Sequence, residues 1–531
     1  MKMTLRNRSW RKLRLGAALV LTLSINLQAQ AAVMIDPDLV PFGRGETDAE
    51  SVFVIAAMSA PANEPPAPTR YDQLAVLAFL RARLYESWNN VAGHLYQTGH
   101  LEQTVRPVAA HWINNTFTAE VTPDGLRALA RTPGIAKIYF NRDVLEEPTI
   151  NGPNPDDGPD PELVGMPYDF PEMGLDLVMK EMPQITGKGV VVGAIDTGVD
   201  GHHPALQGKI LTFFDARTGQ ITEPYDRDDH GTHTAGTIVG GDRSRTLIGV
   251  APEAKLVASA ALSSYDHMLR AMEFMLDPDS DPNTADMPRA INNSWNCEGA
   301  PDVELFYKAI SAWEAAGILP VFSAGNSGRR GMGTITKPHE HPFVLAVGAT
   351  GPDGRIADFS SRGPGRFRGQ NTQKPDLTAP GVDIESTMPG GTFGKMSGTS
   401  MAAPHITGAA ALLLQVDPAL TPIQLKELMM ATATPMSEED GRDEGNWNPH
   451  YGVGKTNIYR ALQAAGEIRR RRLSGSVIDL MATILTSPRE IVVSKFLAKP
   501  PKLDIAELAY STDTQGDGGP DWATSADFEK P

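Results

Sequence analysis

The chain has 531 residues, of which 41% are hydrophobic and 21% charged, and its formal net charge is −16. At about 100–200 residues per domain, this length favours about three globular units. The acidic balance supports solubility and argues against a nucleic-acid partner, which would call for a basic patch or a raised isoelectric point.

The first elements belong to export rather than to a fold. Lys2, Arg6, Arg8, Arg11, Lys12 and Arg14 precede an apolar run from Leu15 to Ile25, and Ala29-Gln30-Ala31 follows as a small-x-small pattern. This layout predicts a secretory signal peptide over 1–31, with a run too short to span a bilayer. No later stretch approaches about 18 uninterrupted apolar residues. The expectation is a secreted protein, extracellular or periplasmic, with no membrane association after signal removal. With Cys297 as its one cysteine, the chain has no internal disulfide to stabilise it.

Residues 50–143 carry a mixed pattern. Ser51–Met58 reads as a strand, Tyr71–Leu95 has a helical apolar period, and Val105–Val121 alternates as two strands would. Pro123–Arg131 reads as a short helix with proline in its first turn, and Ala136–Phe140 as a closing strand. The order β-α-β-β-α-β predicts a ferredoxin-like α+β unit. Residues 144–164, rich in proline and acids, read as an exposed linker. Over 165–467, β-branched runs at Lys188–Asp196, Leu256–Leu262, Ala290–Ser294, Ile318–Ala324 and Phe343–Gly348 alternate with helical patterns near 266–276, 303–316 and 400–415. This predicts an α/β fold: a doubly wound parallel sheet with helices on both faces. Residues 468–531 read as a tail, partly disordered from Ser511 onward. The run Arg469–Arg472 suits either a processing site or the end of a helix, where positive charge favours the dipole.

Acyl transfer to water needs a nucleophile, a base, a group that orients the base, and donors for the oxyanion. Asp196 closes a buried strand, at the sheet edge where α/β proteins bind ligands. A carboxylate there can accept a histidine N–H, although Asp-Thr-Gly also occurs in aspartic proteases. His230 opens His-Gly-Thr-His-Thr-Ala-Gly and suits a general base near neutral pH. His233, three residues on, leaves a metal-binding reading open, but without the glutamate of the metalloprotease helix motif. Ser400 lies in Gly398-Thr399-Ser400-Met401-Ala402-Ala403-Pro404-His405, at a helix start where free N–H groups favour negative charge. A plain N-cap is the competing role for such a serine.

Taken in order, Asp-Thr-Gly, His-Gly-Thr-His and Gly-Thr-Ser-Met-Ala-Ala-Pro-His resemble the subtilase family. The order Asp, His, Ser is the one subtilisin uses. The resemblance implies a serine endopeptidase acting on proteins or peptides, with Asp196, His230 and Ser400 as catalytic triad. It also implies that Asn326, in Ser323-Ala324-Gly325-Asn326-Ser327-Gly328, shares the oxyanion with the Ser400 N–H. Residues 50–143 are similar to the family's inhibitory propeptide. That implies a zymogen whose own propeptide is a partner, cut off by the enzyme within the linker. Ser294, Trp295 and Asn296 match the family's substrate-binding strand, with Trp295 either in the primary pocket or a plain core tryptophan. Asn296 and Cys297 stand where the family often has glycine, so specificity does not carry over.

No cofactor is required for this chemistry. Structural calcium is possible in the family, but Ala205 stands where its tight site has an aspartate, and Arg243 where an amide ligand is usual. Asp277, Asp279 and Asp281 alternate in a Pro-rich loop and are a weak alternative. A non-catalytic exported binding protein and an esterase with the same triad are the competing functions. Met401, beside Ser400, predicts sensitivity to peroxide.

Overall fold

Alternation along one strand sorts the protein into two cores. In the computed structural model, which describes residues 32–63, 66–146, 166–242, 246–297, 300, 302–436, 447–474 and 523–524, the strand Val191–Asp196 lies inside an eight-stranded sheet. Val192 and Ala194 join one apolar cluster with Ile238, Ala402 and Leu412. Ile195 joins another with Met268, Met272 and Ile310. A strand of period two is thus buried on both faces, which is why its sequence is a continuous apolar run.

The spatial order is Leu377–Pro380, Leu345–Thr350, Leu319–Ser323, Ala290–Asn293, Val191–Asp196, Lys255–Ala260, Ile210–Asp215 and Gln220–Ile221. All pairings are parallel except the last, which is antiparallel. Helices His230–Val239 and Thr399–Val416 cover one face, and Tyr265–Phe274 and Glu304–Ala316 the other. This is the α/β architecture the alternation predicts. The sequence reading did not mark Ile210–Asp215 or Leu377–Pro380 as strands, nor the helices Pro422–Thr432 and Ile458–Ser474.

The N-terminal unit runs Val52–Met58, Gln73–Gln97, Val105–His111, Thr116–Val121, Pro123–Arg131 and Ile135–Phe140, in the order β-α-β-β-α-β. Its helices start on side-chain caps: Asp72 accepts from Ala75 N, and Thr122 from Gly125 N. The sheet order is Ile135–Phe140, Val52–Met58, Thr116–Val121, Val105–His111, all antiparallel.

This unit begins earlier than residue 50. Met34–Ile35 adds a parallel edge strand to Ile135–Phe140, and Val33, Leu39 and Phe42 are buried with it. Asp36, Pro37, Asp38 and Pro41 interrupt the apolar residues here, so no clear period emerges and tertiary pairing reveals the strand. The tail also departs from expectation, because Ala523–Thr524 pairs with Met34–Ile35. The arginine run lies within the helix Ile458–Ser474, which carries the peptidase unit past 467. Arg469 donates to Val416 O, Arg472 pairs with Asp417, and Arg470 and Arg471 pair with Glu467. Residues 1–31, most of the linker and the bulk of the tail lie outside the described residues.

Candidate active site

Strand Val191–Asp196 ends on Asp196, which is buried. The helix His230–Val239 starts beside it because Gly231 permits the approach. A Cβ there would stand 2.1 Å from Gly198 O and 3.1 Å from Asp196 Cβ. His230 Nδ1 lies 2.7 Å from Asp196 Oδ1. The carboxylate is held in turn by Thr197 N at 2.8 Å and Thr234 Oγ1 at 3.1 Å. A carboxylate at Nδ1 fixes the tautomer with Nε2 as the basic nitrogen.

The helix Thr399–Val416 is buried almost throughout and crosses His230–Val239 closely at Gly408. A Cβ there would lie 2.6 Å from Val250 Cβ and 3.4 Å from Ile238 O. The starts of both helices are tied to one segment. His233 Nε2 donates to Ile384 O at 2.9 Å, while Gly398 N donates to Gly381 O at 2.8 Å and Ser397 Oγ to Asp383 Oδ1 at 3.2 Å. His233 is therefore a structural histidine: burial pushes its pKa down to about 3, and the imidazole is neutral at working pH. Ser400 is buried, and its Oγ has no hydrogen-bond partner in this structure.

Pro404 explains a detail of the Ser400 backbone. A proline inside a helix gives no N–H to the carbonyl four residues back. That carbonyl belongs to Ser400, and it accepts from Ser294 Oγ at 3.2 Å instead. The helix that Ser400 opens is thereby tied to the residue between the strands Ala290–Asn293 and Trp295–Asn296. Asn326 is oriented by its oxygen, which accepts from Thr399 N and Thr399 Oγ1, both at 2.9 Å. Its Nδ2 then faces Gly398. A Cβ built on Gly398 would lie 3.3 Å from Nδ2 and 3.6 Å from Ser400 N, so both donors border one spot. Such donors act on charge that develops during reaction.

Trp295 and Asn296 pair antiparallel with Glu146 and Leu145 of the same chain. On the other side Val144 N donates to Ser263 O at 3.1 Å, and Asp143 bridges to Ser264. Segment 143–146 is thus held from both flanks. Of the two readings of the Trp295 side chain, the structure shows the core one. It is fully buried in the core, T-shaped against Phe306 and Phe322, with Nε1 donating to Asn293 Oδ1 at 3.0 Å. Strand alternation turns the indole inward, so only its backbone meets the docked segment.

Sequence reasoning missed Ser263 and Ser264, which carry no motif and are placed only by the end of a neighbouring strand. It also missed Asp226, which accepts from Thr232 N, Thr232 Oγ1 and Thr197 Oγ1 at 2.6–2.7 Å and so binds strand end to helix start. Beside His230, burial together with the Asp228 carboxylate raises Asp229 to about 6.

The alternating acids do not come together. Asp277 pairs with Arg81, Asp279 Oδ1 accepts from Asp281 N, and Asp281 Oδ1 accepts from Asn283. Among the described residues no group of three or more His, Cys, Asp or Glu side chains is placed to hold a metal ion. Arg243 and Ser244 lie outside those residues. Burial pushes the Cys297 thiol above its ordinary range, which leaves it unreactive.

A strand-end carboxylate on an imidazole, a buried hydroxyl at a helix start and two converging N–H donors define the class of serine-nucleophile hydrolases. Residues 187–454 match the model of the subtilase family. Subtilisin E of Bacillus subtilis (strain 168) is 36% identical over 286 residues, covering 52% of this chain and 67% of that protein. Serine protease AprX of the same organism is 32% identical over 385 residues, covering 66% and 79%. Bacillopeptidase F is 37% identical over 305 residues, but the chain spans only 21% of its length. The crystal structure of fervidolysin from Fervidobacterium pennivorans superposes with a TM-score of 0.56 at 22% identity, covering 82% of this chain and 63% of that one. The chain belongs to the subtilase family, and by class it is a subtilisin-like serine endopeptidase.

Proposed function

We propose that the chain is a secreted endopeptidase made as an autoprocessed zymogen, with Asp196, His230 and Ser400 as its triad. Asp196 holds the Nδ1–H of His230 and stabilises the imidazolium. His230 Nε2 takes the Ser400 proton as Oγ attacks the scissile carbonyl. The oxyanion is received by Asn326 Nδ2 and Ser400 N–H. His230 then protonates the leaving amine, and a second round with water as nucleophile releases the acyl group.

One observation carries the zymogen reading: Leu145–Glu146 lies as a strand on Trp295–Asn296, and Ser294 next to them binds the backbone of Ser400. An extended segment added to a sheet edge is how a peptide is held for recognition. The docked segment is the C-terminal arm of the N-terminal unit, so that unit blocks the cleft it enters. The maturation cut then falls C-terminal to Glu146, within the linker. No helix among the described residues is long and apolar enough to cross a membrane, and the proposed secretion rests on the 1–31 pattern.

Two measurements test this. A fluorophosphonate reagent is expected to label the matured protein on Ser400, and Ser400→Ala to abolish labelling, casein cleavage and self-cleavage together. N-terminal sequencing of the mature form is expected to place the new terminus between 147 and 166. Labelling that persists in Ser400→Ala removes the triad assignment, and a mature form that still carries residues 52–140 covalently removes the zymogen.

A further inference from the structure

The carboxyl edge of the sheet carries the active site. The opposite edge carries a cavity of about 620 Å³ under the starts of two neighbouring strands, with Val190, Val191 and Arg289 in its wall. Along the strand Val191–Asp196, its wall residue Val191 lies five steps from Asp196, about 17 Å at 3.3 Å per residue. The volume falls in the range of small-molecule sites, about 300–1,000 Å³.

Its chemistry is asymmetric. Arg289 donates to Gly317 O at 3.2 Å, Pro418 O at 3.2 Å and Leu420 O at 2.8 Å. A guanidinium has five N–H donors, so these carbonyls leave two over. Among the described residues Arg289 makes no ion pair, and burial holds its guanidinium below the ordinary range. Lys188 adds a second cation in the wall, and none of the lining residues is acidic. A half-buried guanidinium beside apolar wall is favoured by an anionic partner, and among the described residues no carboxylate supplies one. Val190, Met287, Leu414 and Leu420 supply apolar wall beside the guanidinium. Tyr71 and Gln73 close the rim from the N-terminal unit. Gln73 is anchored there by its Nε2, which donates to Leu276 O at 3.1 Å.

We propose that this cavity binds an organic carboxylate, its anionic head on the two remaining N–H groups of Arg289 and its apolar body along Val190, Met287, Leu414 and Leu420. A carboxylate matches the planar fork of an arginine as no neutral group does. Two sources share this chemistry, a short fatty acid and the C-terminus of an apolar peptide.

The test uses the full-length Ser400→Ala protein, which keeps the chain intact and the rim complete. Calorimetric titrations with octanoate and with the dipeptide Leu-Leu are run beside octanol and Leu-Leu amide. Saturable binding of at least one carboxylate is expected, about ten-fold or more tighter than its neutral counterpart, and the tighter of the two acids identifies the source. Arg289→Gln is expected to weaken binding about ten-fold or more. Because Arg289 also caps three carbonyls, Ala419→Trp on the exposed rim serves as the second variant, expected to block entry without touching the guanidinium. Neither acid saturating by about 10 mM overturns the proposal. So does equal binding of acid and neutral counterpart, or unchanged binding in Ala419→Trp.

Discussion

The parallel sheet has two faces covered by helices of opposite character. On one, Thr399–Val416 buries alanines and leucines against the strands, with His405 and Thr407 as buried polar residues beyond its first turn, and His230–Val239 adds buried histidines and threonines but no buried acid or lysine. On the other, Tyr265–Phe274 and Glu304–Ala316 bury Asp266, Glu304, Lys308 and Glu314. The N-terminal unit supplies partners to each of these acids, beside Arg270 on Asp266 and Arg368 and Lys308 on Glu304 from the peptidase unit. Asp266 meets His111 and Thr118, Glu304 meets Lys137, and Glu314 meets Arg70 and Tyr71. Asp277 and Glu273 follow the same rule with Arg81 and the Ile113 N–H. The first face is built mainly of small and apolar side chains, whereas the second carries charges that, on the proposed zymogen reading, water can solvate again when the N-terminal unit leaves. The apolar cluster beneath, with Ile55, Ala57, Val76 and Tyr139 packed among helix residues, supplies the attraction that these pairs make specific.

If this division holds, changes on the first face alter turnover and leave docking alone, and changes on the second do the reverse. The largest effect is expected from Ser400→Ala, about 10⁶-fold in kcat, the magnitude seen in subtilisin itself, with the N-terminal unit still bound on gel filtration. Asn326→Ala is expected to lower kcat about 10²–10³-fold with little change in KM, again on the scale subtilisin shows for this donor. Steady-state kinetics on a peptide amide checks it, and a KM rise at constant kcat would mean the amide serves ground-state binding only.

On the other face, Arg70→Ala removes the guanidinium from buried Glu314 and keeps the Tyr71 hydroxyl. Removing one partner of a buried pair costs about 3 kcal/mol or more, so docking should loosen about 100-fold. The readout is dissociation of the N-terminal unit after cleavage, with kcat of the matured enzyme unchanged. Unchanged dissociation would break the comparison.

The smallest effect is one of pH. Burial pushes Glu273 up to about 7 from an ordinary value of 4.5. The docked state therefore holds this proton more tightly than the released state does. Docking is fully favoured below about pH 4.5, weakens as pH rises toward 7, and is flat above. Burial works to raise Asp266 too, but His111 and Arg270 overturn it and hold it well below the usual range, so its opposite contribution is lost only in stronger acid. Release is expected to accelerate about ten-fold between pH 5 and 8, and Glu273→Gln to flatten that slope. An unaltered slope in the variant would assign the pH dependence to other groups.

Much of this was legible in the chain. Local signals of period and turn placed the strand Val191–Asp196, the helices around 265, 304 and 399, and the β-α-β-β-α-β order of the N-terminal unit. Ser400, His230 and Asp196 were marked because each sits at a strand or helix end with small residues beside it. Trp295 was left undecided between pocket and core, because a large aromatic beside a binding strand looks like a pocket wall until alternation turns it inward. The strands Met34–Ile35 and Ala523–Thr524 were invisible, being two residues long and defined only by the edge they join.

The sequence by itself determined which groups are present and where elements begin, because capping, proline and periodicity act over a few residues. Only the tertiary structure decided which distant groups meet. The Ser294 hydroxyl on the Ser400 carbonyl, Lys137 on Glu304 and the solitary Arg289 guanidinium depend on contacts between segments far apart in the chain. Such contacts leave no local trace, because they are fixed by how the two helical layers pack on a shared sheet.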